Sequence, residues 1–434
     1  MKMIEVVEMK AVILAGGKGT RLGSLTHEIP KPMIMVGDKP ILGHQIELLK
    51  EYGITDITII THYLSGVIED YFGNGKKFGV DISYFREEEP LGTCGGIKEI
   101  EGNLTQDFLI LYGDVMLNMD LGRLISFHQG KKSACTLVLH PNDHPYDSDL
   151  VEVNPENRIT AFHSKPHEKG RYFRNLANAA VYIMSPKILK YLGKGKKADL
   201  AKDLFPSLVD KEPLYGYITA EYQKDVGTPE RLEEVNKDFA SGKMARLNMK
   251  NKRPAIFMDR DGVINKEVNY LNKIEQLEIL PGAIMSVKKI NRSDFLAIVI
   301  TNQPVIARNM CSVAELDEIH RKLETLLAED KAKLDAIYYC PHHPDKGYPE
   351  ERAEYKIDCG CRKPKIGLVK TAEEKFNIDL KNSFFVGDAD RDILCGKNAG
   401  MKTIAVGGFR GKEKPDYAFK NLGEAVDFIL ESSR

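Results

Sequence analysis

The sequence predicts an α/β protein made of two successive doubly wound domains, and three observations support this. First, the length of 434 residues exceeds the usual size of one domain, about 100–200 residues. Second, short β-branched runs alternate with longer stretches whose apolar residues have helical spacing, the pattern of a mostly parallel sheet with helices on both faces. Third, this alternation lapses once and starts again at Pro254.

The first half, residues 1–240, is predicted to form one domain. Apolar, β-branched runs at 11–15, 54–60 and 107–114 predict strands, and the apolar spacing within 40–52 predicts a helix. Ligands of such sheets bind at the carboxyl ends of the strands. We therefore expect the functional residues directly after the apolar runs.

The second half repeats this organisation after a polar, basic segment. Residues 241–253 are predicted to be a linker or a frayed helix end, and residues 254–434 a second domain. The predicted strands of the second domain lie at 254–259, 295–300, 335–340 and 383–388, and its predicted helices lie near 282–292, at 312–329, near 365–376 and after residue 388.

The amino-acid composition limits the kinds of partner that the protein is expected to bind. The chain has 62 basic and 63 acidic residues, a balance that favours neither nucleic acid nor an anionic membrane. No apolar run reaches the roughly 18 residues of a membrane span, and the N-terminus has no signal-peptide pattern. Only seven cysteines are present, which suits a reducing cytoplasm. We expect a cytoplasmic enzyme whose substrates are small molecules and which could form homo-oligomers.

A glycine-rich turn follows the first predicted strand. Gly16 and Gly17 let the backbone approach an anion closely. Arg21 adds a guanidinium group, and Lys31 stands between two prolines that fix the local backbone. Alone, such a turn is often only a tight turn, and its spacing fits neither the P-loop nor the dinucleotide-binding pattern.

The segment LAGGKGTRL, followed by PKP, resembles the signature of the sugar-1-phosphate nucleotidyltransferases. The other motifs that carry this resemblance follow in order: EPLGTCGG (89–96), YGDV (112–115), SKP (164–166), NAAVYI (178–183) and DVGTPE (225–230). The resemblance implies a Rossmann-like nucleotidyltransferase fold. It also implies a reaction in which a sugar 1-phosphate oxygen attacks the α-phosphorus of an NTP and pyrophosphate leaves.

The same resemblance implies a role for individual residues. Asp114 and Asp225 would hold Mg²⁺, and Arg21 and Lys31 would stabilise charge on the triphosphate. The remaining matched positions would bind substrates: Lys165 the sugar phosphate, Asn178 a sugar hydroxyl, Gly92 and Thr93 the base, and Gly16 and Gly17 the phosphates. A lone aspartate is more often a solvated or capping residue, but the ordered set of motifs favours a functional role.

In the second half, Asp259 and Asp261 stand two residues apart at the end of a predicted strand, in DRDG. This pattern resembles the haloacid-dehalogenase-like phosphatases, here without room for a large cap. Asp259 would attack phosphorus to form an aspartyl-phosphate, and Asp261 would act as acid and then as base. The resemblance implies that Thr301 and Asn302 bind the substrate and that Lys363 stabilises its negative charge. Arg308 and Arg362 would bind a second phosphate. Asp388 would hold Mg²⁺ together with Asp259 and Asp261.

Three cysteines and one histidine lie close together between these motifs. Cys340 and His342 form one close pair, and Cys359 and Cys361 form another. Four such ligands fill a tetrahedral Zn²⁺ site completely, which is typical of a structural site. The sequence therefore predicts a zinc loop that holds the neighbouring Lys363 in place.

The zinc loop, DRDGVIN, TNQ and CRKP together resemble the D-glycero-D-manno-heptose 1,7-bisphosphate phosphatases, with the histidinol phosphatases as relatives. Removal of the distal phosphate from such a bisphosphate leaves a sugar 1-phosphate, the acceptor that the first half needs. The resemblance implies two steps of GDP-heptose synthesis, with the first half similar to the D-glycero-α-D-manno-heptose 1-phosphate guanylyltransferases, which use GTP.

Two alternatives remain open. In the first, a mannose-1-phosphate or other hexose-1-phosphate nucleotidyltransferase is fused to a phosphatase of the histidinol-phosphatase type. In the second, the first half is a non-catalytic sensor of sugar nucleotides that regulates the phosphatase. A sensor would not need Arg21, Lys31, Asp114 and Asp225 together, which argues against the second alternative.

Overall fold

The computed structural model describes residues 9–168, 170–345, 347 and 351–433. The N-terminal residues 1–8, for which the sequence predicts no signal peptide, lie outside the described residues. The chain divides into two compact units. Unit 1 comprises the chain up to His140, Ser148–Lys165 and Ala177–Asn248; unit 2 comprises Pro141–Asp147, Pro166–Leu176 and the chain from Met249.

Unit 1 contains strands β1 to β13 and helices α1 to α7. The strands are β1 Lys10–Leu14, β2 Met35–Val36, β3 Lys39–Pro40, β4 Asp56–Thr61, β5 Asp81–Arg86, β6 Phe108–Tyr112, β7 Val115–Asn118, β8 Cys135–His140, β9 Leu150–Val153, β10 Ile159–His163, β11 Ala177–Met184, β12 Leu214–Ile218 and β13 Tyr222–Asp225. The helices are α1 Ile41–Glu51, α2 Ser65–Phe72, α3 Gly92–Glu99, α4 Leu121–Lys131, α5 Phe205–Leu208, α6 Pro229–Ala240 and α7 Lys243–Arg246.

The main sheet of unit 1 is mixed rather than mostly parallel. Strands β5, β4, β1 and β6 run parallel in that order, as the alternating pattern predicts, and β11 then pairs antiparallel with β6 and with β8. The apolar runs of parallel and antiparallel core strands look alike when both faces are buried, so the sequence does not reveal this reversal.

A two-stranded ribbon positions the carboxylates of unit 1. Strands β7 and β13 pair antiparallel, with Asp225 opposite Val115. The backbone N–H of Val226 also donates to the carbonyl of Asp114 at 3.0 Å. The ribbon therefore places Asp114 beside Asp225, although 110 residues of chain separate them.

Unit 2 contains strands β14 to β19 and helices α8 to α12. They are β14 Ala255–Met258, α8 Ala283–Asn291, β15 Leu296–Asn302, α9 Val313–Glu329, β16 Ala336–Cys340, α10 Gly367–Phe376, β17 Phe384–Gly387, α11 Asp390–Asn398, β18 Lys402–Ala405, β19 Tyr417–Ala418 and α12 Leu422–Ser432. The order of strands in the sheet is β16-β15-β14-β17-β18-β19, and all neighbours are parallel.

The sheet of unit 2 is buried on both faces, as its unbroken apolar strands predict. All four residues of β14 are fully buried, and β14 lies between β15 and β17. The neighbouring helix α9 begins with a capping box, in which Ser312 and Glu315 bond each other's backbone N–H groups. The predicted α/β fold with two doubly wound units is confirmed. Among the described residues, the helices are all too short or too polar to cross a membrane.

Candidate functional site

In unit 1, a buried lysine joins the two predicted magnesium ligands. The Lys31 ammonium contacts a carboxylate oxygen of Asp114 and lies 3.1 Å from Oδ1 of Asp225. Lys31 is 6% exposed, whereas the two carboxylates remain about one-third exposed. The structure thus brings these three predicted residues together, with the carboxylates open to a ligand.

Further cations surround Asp225. Arg231 donates to Oδ2 of Asp225 at 2.7 Å. Burial alone would raise the pKa of Asp225, but Lys31, Arg231 and Arg21 outweigh it and hold that pKa below its ordinary value. Asp225 is therefore a carboxylate at neutral pH, the form that binds a divalent cation. The chemistry of Asp114 and Asp225 fits Mg²⁺.

The glycine-rich turn follows β1 directly and packs tightly at two positions. A Cβ on Gly19 would lie 3.3 Å from the Cβ of Lys31, and Gly19 has a φ of 63° that favours glycine. A Cβ on Gly16 would lie 3.3 Å from a carboxylate oxygen of Glu87, whereas Gly17 faces open space. The turn therefore approaches both Lys31 and Glu87 closely.

Glu87 is a candidate residue that sequence reasoning missed. It follows β5 and is 7% exposed. Burial raises the pKa of its carboxyl group, and the backbone N–H groups of Leu91 and Gly96 and the ring of His62 oppose that rise. Among the described residues, its Oε1 has no hydrogen-bond partner. Its position after an apolar strand was the available signal, but it lies at the start of an acidic run that resembles a solvated turn.

The predicted base-binding pair lies at the start of α3. Gly92 has a φ of 74°, and a Cβ there would collide with the backbone carbonyl of Ala198. The Thr93 hydroxyl donates to Asp199 at 3.0 Å and accepts from the backbone N–H of Leu200 at 2.7 Å. Segment 198–200 thus holds this turn in place, and only glycine fits at position 92.

The predicted sugar-binding residues meet at Asp149. The backbone N–H of Lys165 donates to the Asp149 carboxylate at 3.1 Å, and that of Asn178 donates to the Asp149 carbonyl at 3.0 Å. The pairing of β11 with β8 is irregular after Asn178, where Ala180 has a φ of 57°. Bulges of this kind re-aim side chains near active sites.

A tyrosine pair connects these groups. The rings of Tyr112 and Tyr182 meet edge-on, with their centres 6.0 Å apart. Thr93 lies near the Tyr112 hydroxyl and lowers its pKa, and Asn178 acts in the same way on Tyr182, although burial raises both pKa values. Tyr112 is also the last residue of β6, two positions before Asp114. The groups predicted to bind the base and the sugar are therefore linked through the strand that ends at the predicted metal site.

In unit 2, three carboxylates gather at the carboxyl ends of β14 and β17. One oxygen each from Asp259, Asp388 and Asp392 lies within 4.8 Å of the others. Burial and the two neighbouring carboxylates raise the pKa of Asp388 to about 7. Its Oδ1 is buried and lacks a hydrogen-bond partner among the described residues. Repelling, partly unpaired carboxylates of this kind fit a divalent cation such as Mg²⁺.

One lysine compensates part of this negative charge. The Lys363 ammonium lies 2.9 Å from Asp259 and 2.7 Å from Asp392, and it donates to the carbonyl of Ile300 at 2.7 Å. Its side chain is fully buried. The two carboxylates raise the pKa of Lys363 although burial acts in the opposite direction. Lys363 is therefore charged and fixed beside the predicted nucleophile, Asp259.

Asp261 points to a different set of partners. Its carboxylate accepts hydrogen bonds from Arg260 at 2.9 and 3.0 Å, from Asn265 at 2.8 Å and from Gln303 at 2.8 Å. Burial opposes ionisation, but these donors hold the pKa of Asp261 below its ordinary value. Asp261 is outside the group of three carboxylates, and Asp392 takes part instead.

The end of β15 supports Lys363 and Asp261. The Asn302 side chain accepts from the backbone N–H of Lys363 at 3.0 Å and donates to its carbonyl at 3.1 Å. Its amide therefore positions Lys363 in this structure, in addition to the substrate contact predicted from the sequence. Gln303 donates to the Thr301 hydroxyl at 2.9 Å as well as to Asp261.

The two predicted arginines lie on separate loops. Arg308 stacks on the ring of Tyr270, with its guanidinium carbon 4.4 Å from the ring centre. Arg362 donates to the backbone carbonyl of His342 at 3.1 Å, and burial lowers its pKa. Arg362 therefore contacts the predicted zinc loop directly.

The four predicted zinc ligands are gathered. One ligand atom each from Cys340, His342, Cys359 and Cys361 lies within 4.8 Å of the others. The three sulfur atoms are 3.2 to 3.4 Å apart, and all three thiols are free of disulfides. Three thiols and one imidazole in this arrangement fit a tetrahedral Zn²⁺ ion.

Comparison with known proteins identifies the protein family of each part of the chain. Residues 10–242 match the nucleotidyl transferase family, and because this match covers more than half of the chain, the protein belongs to that family. Residues 360–431, in unit 2, match the HAD-hydrolase-like family. Both families predicted from the sequence motifs are thereby confirmed at the family level.

Individual relatives match the nucleotidyltransferase part. Mannose-1-phosphate guanylyltransferase of Mycobacterium tuberculosis is 34% identical over 238 residues, which are 54% of this chain and 66% of that protein. UTP–glucose-1-phosphate uridylyltransferase of Synechocystis is 32% identical over 289 residues, 63% of this chain and 68% of that protein. The solved structure of HddC from Yersinia pseudotuberculosis is 26% identical, with a TM-score of 0.47 over 53% of this chain and 99% of that chain. The chain thus spans 66% of the length of the first of these relatives.

Proposed function

We propose that the protein is a bifunctional enzyme, in which unit 1 transfers a nucleotidyl group to a sugar 1-phosphate and unit 2 hydrolyses a phosphomonoester. One observation carries this proposal: each unit gathers carboxylates and a buried lysine at the ends of its strands. The carboxylate pairs are Asp114–Asp225, after β6 and at the end of β13, and Asp259–Asp388, after β14 and β17. Such pairs hold Mg²⁺ on phosphate oxygens.

In the reaction of unit 1, a phosphate oxygen of the sugar 1-phosphate forms a bond to the α-phosphorus of the NTP. The bond from that phosphorus to the bridging oxygen breaks, and pyrophosphate leaves. Mg²⁺ on Asp114 and Asp225 supplies charge neutralisation to the phosphates. Arg21 and Lys31 bind phosphate oxygens, Lys165 holds the sugar phosphate, and the glycine-rich turn places backbone N–H groups against the triphosphate.

GTP is the nucleotide that the site supports best. Guanine presents two adjacent donors, N1–H and the 2-amino group, whereas uracil and thymine present one N–H between two carbonyls. The Glu87 carboxylate is buried beside Gly16 and has an oxygen without a hydrogen-bond partner among the residues that the structure describes. A carboxylate accepts two parallel hydrogen bonds well. The guanylyltransferase relative supports the same choice.

In the reaction of unit 2, an oxygen of Asp259 forms a bond to the phosphorus of the substrate. The bond from that phosphorus to the ester oxygen breaks, and protonated Asp261 donates its proton to the leaving alcohol. Water then hydrolyses the aspartyl-phosphate, and Asp261 takes the proton of that water. The donors that lower the pKa of Asp261 keep it ionised, as a group that accepts a proton must be. For the first step, Asp261 must acquire a proton and turn away from Arg260. Thr301 binds a phosphoryl oxygen, and Lys363 stabilises the negative charge through its contact with Asp259. Mg²⁺ on Asp259 and Asp388 would neutralise more of that charge.

We propose D-glycero-D-manno-heptose 1,7-bisphosphate as the substrate of unit 2 and the resulting heptose 1-phosphate as the acceptor of unit 1. The support is chemical: loss of the 7-phosphate leaves the type of acceptor that a nucleotidyltransferase uses. A bisphosphate also gives Arg308 and Arg362 a second phosphate to bind. The second candidate is a hexose 1-phosphate such as mannose 1-phosphate, which the mannose-1-phosphate guanylyltransferase relative favours.

A substrate panel tests these proposals. The full chain is incubated with Mg²⁺, the heptose 1,7-bisphosphate and each of GTP, ATP, CTP, UTP and dTTP, and the products are identified by mass. We expect GDP-heptose from GTP, with release of phosphate and pyrophosphate. GDP-mannose formed from mannose 1-phosphate, without any GDP-heptose, would favour the second candidate. Release of neither phosphate nor pyrophosphate would contradict both activities.

A further inference from the structure

Arg391 is a cation at the carboxylate group of unit 2 that the motifs do not single out. It lies in the first turn of α11, between Asp388 and Asp392 in the chain. One guanidinium nitrogen is 3.8 Å from Oδ2 of Asp259, and its side chain is 44% exposed. Asp259, Asp392, Asp388 and Glu267 raise its pKa, and burial opposes them. Arg391 thus stands at the solvent side of the proposed nucleophile.

Lys363, the other cation of this group, is already surrounded by oxygens of the protein. An ammonium group carries three N–H bonds, and the oxygens of Asp259, Asp392 and Ile300 surround that of Lys363 within 2.9 Å. In contrast, the structure records no hydrogen bond from the Arg391 guanidinium to any described residue. Its five N–H donors therefore remain available to a ligand.

The net charge of the carboxylate group also indicates that a further cation is needed to bind phosphate. Asp259, Asp388 and Asp392 with Lys363 carry a formal charge of −2 when ionised, which one Mg²⁺ ion neutralises. A neutral site does not attract a phosphate dianion, so a further positive charge is needed. Arg391 supplies it on the side of Asp259 that solvent reaches.

We propose that Arg391 binds the phosphate group that unit 2 transfers, with its guanidinium donating two hydrogen bonds to phosphoryl oxygens beside Asp259. This inference rests on the proposed phosphatase activity and adds a substrate-binding residue to it. A planar guanidinium matches two phosphate oxygens at once. The same contacts stabilise the charge on the phosphoryl oxygens while Asp259 forms its bond to phosphorus.

Hydrolysis of p-nitrophenyl phosphate by the full chain, with inorganic phosphate as competitive inhibitor, tests this inference. Arg391→Met should raise both KM and the inhibition constant of inorganic phosphate at least tenfold. The Mg²⁺ concentration for half-maximal activity should change less than twofold, because Arg391 binds phosphate and not the metal. Added methylguanidinium should restore part of the activity of Arg391→Ala, which a purely structural role would not allow.

Lys397→Met is the matched control, because Lys397 lies on the same helix, pairs with Glu413 and is 39% exposed. It should leave both constants within twofold of wild type. An unchanged inhibition constant in Arg391→Met would overturn the inference and leave the phosphatase proposal intact. A wild-type chain that hydrolyses neither p-nitrophenyl phosphate nor a sugar phosphate would overturn both.

Discussion

The ammonium of Lys363 lies 2.7 Å from a carboxylate oxygen of Asp392, and both side chains are fully buried. Burial raises the pKa of Asp392 to about 6, and Lys363 opposes that rise. Removal of one partner from a buried ion pair leaves the other charge uncompensated, at a cost of about 3–5 kcal/mol. The lysine therefore matters for folding, in addition to the role in phosphate chemistry that we propose for it.

We expect Lys363→Met to lower the free energy of unfolding by about 3–5 kcal/mol in the absence of Mg²⁺. Added Mg²⁺ should raise the melting temperature of the variant more than that of wild type, because the cation replaces the lost positive charge. Thermal unfolding with and without Mg²⁺ measures both effects. The control is Lys365→Met, which removes an exposed pair with Asp358; equal losses in the two variants would contradict the account.

Glu87→Gln tests the choice of base. We expect the KM for GTP to rise roughly tenfold to a hundredfold, because a charged acceptor becomes a neutral amide and hydrogen bonds to charged groups are worth about 1.5–3 kcal/mol. Pyrophosphate release measured with GTP and UTP gives the selectivity. The neighbouring Glu88 is exposed, so Glu88→Gln should behave as wild type. Unchanged selectivity in Glu87→Gln would rule out a contact with guanine.

The cysteine group predicts a separable metal requirement. We expect one Zn²⁺ per chain, detected by elemental analysis, and its loss in Cys359→Ser. Because the zinc loop carries Lys363, phosphate release should fall at least tenfold, whereas nucleotidyl transfer by unit 1 should persist. Cys311→Ser alters a buried thiol outside the ligand group and should retain Zn²⁺. Full Zn²⁺ content in Cys359→Ser would contradict the assignment.

Glu324 predicts a pH dependence of stability. It is buried on α9 and accepts a hydrogen bond from the backbone N–H of Asn175 at 3.2 Å. Burial raises its pKa from 4.5 to about 7, with Arg174 opposing. Between these two values the folded chain keeps a proton that the unfolded chain has lost, so this group makes the folded state less stable as pH rises through that window.

Glu324→Gln should remove this dependence. Relative to wild type, we expect the variant to gain on the order of 2–4 kcal/mol between pH 4.5 and pH 8, from a shift of two to three pKa units. Urea unfolding across this range measures the gain. Glu329→Gln changes an exposed residue at the end of the same helix and should follow wild type. A variant with the wild-type slope against pH would contradict the assignment.

Most of the fold could be predicted because its signals are local. The unbroken apolar run of β14 and the helical spacing of α9 each specify one element, and the aspartates that follow β14 and β17 lie at the edge where parallel strands end. The antiparallel direction of β11 has no such local signal, since a core strand is apolar in either direction. The sequence therefore predicts a more parallel sheet in unit 1 than the structure contains.

The candidate site was predictable where a residue belongs to an ordered motif. Side-chain direction was not, because it depends on neighbours that are distant in the chain. Asp261 turns to Arg260, and Asp392 turns inward from the first turn of α11 to join Asp259. Glu87 has no motif of its own, and only the packing of the glycine-rich turn against it identifies it.

The most direct test of two separate reaction centres on one chain uses Asp114→Asn and Asp259→Asn with the heptose bisphosphate, GTP and Mg²⁺. Asp114→Asn should release phosphate but neither pyrophosphate nor GDP-heptose. Asp259→Asn should release neither phosphate nor pyrophosphate from the bisphosphate and GTP. It should still form GDP-heptose when heptose 1-phosphate is supplied. The account would be contradicted if folded Asp114→Asn released no phosphate, or formed GDP-heptose as wild type does. It would also be contradicted if folded Asp259→Asn formed no GDP-heptose from supplied heptose 1-phosphate.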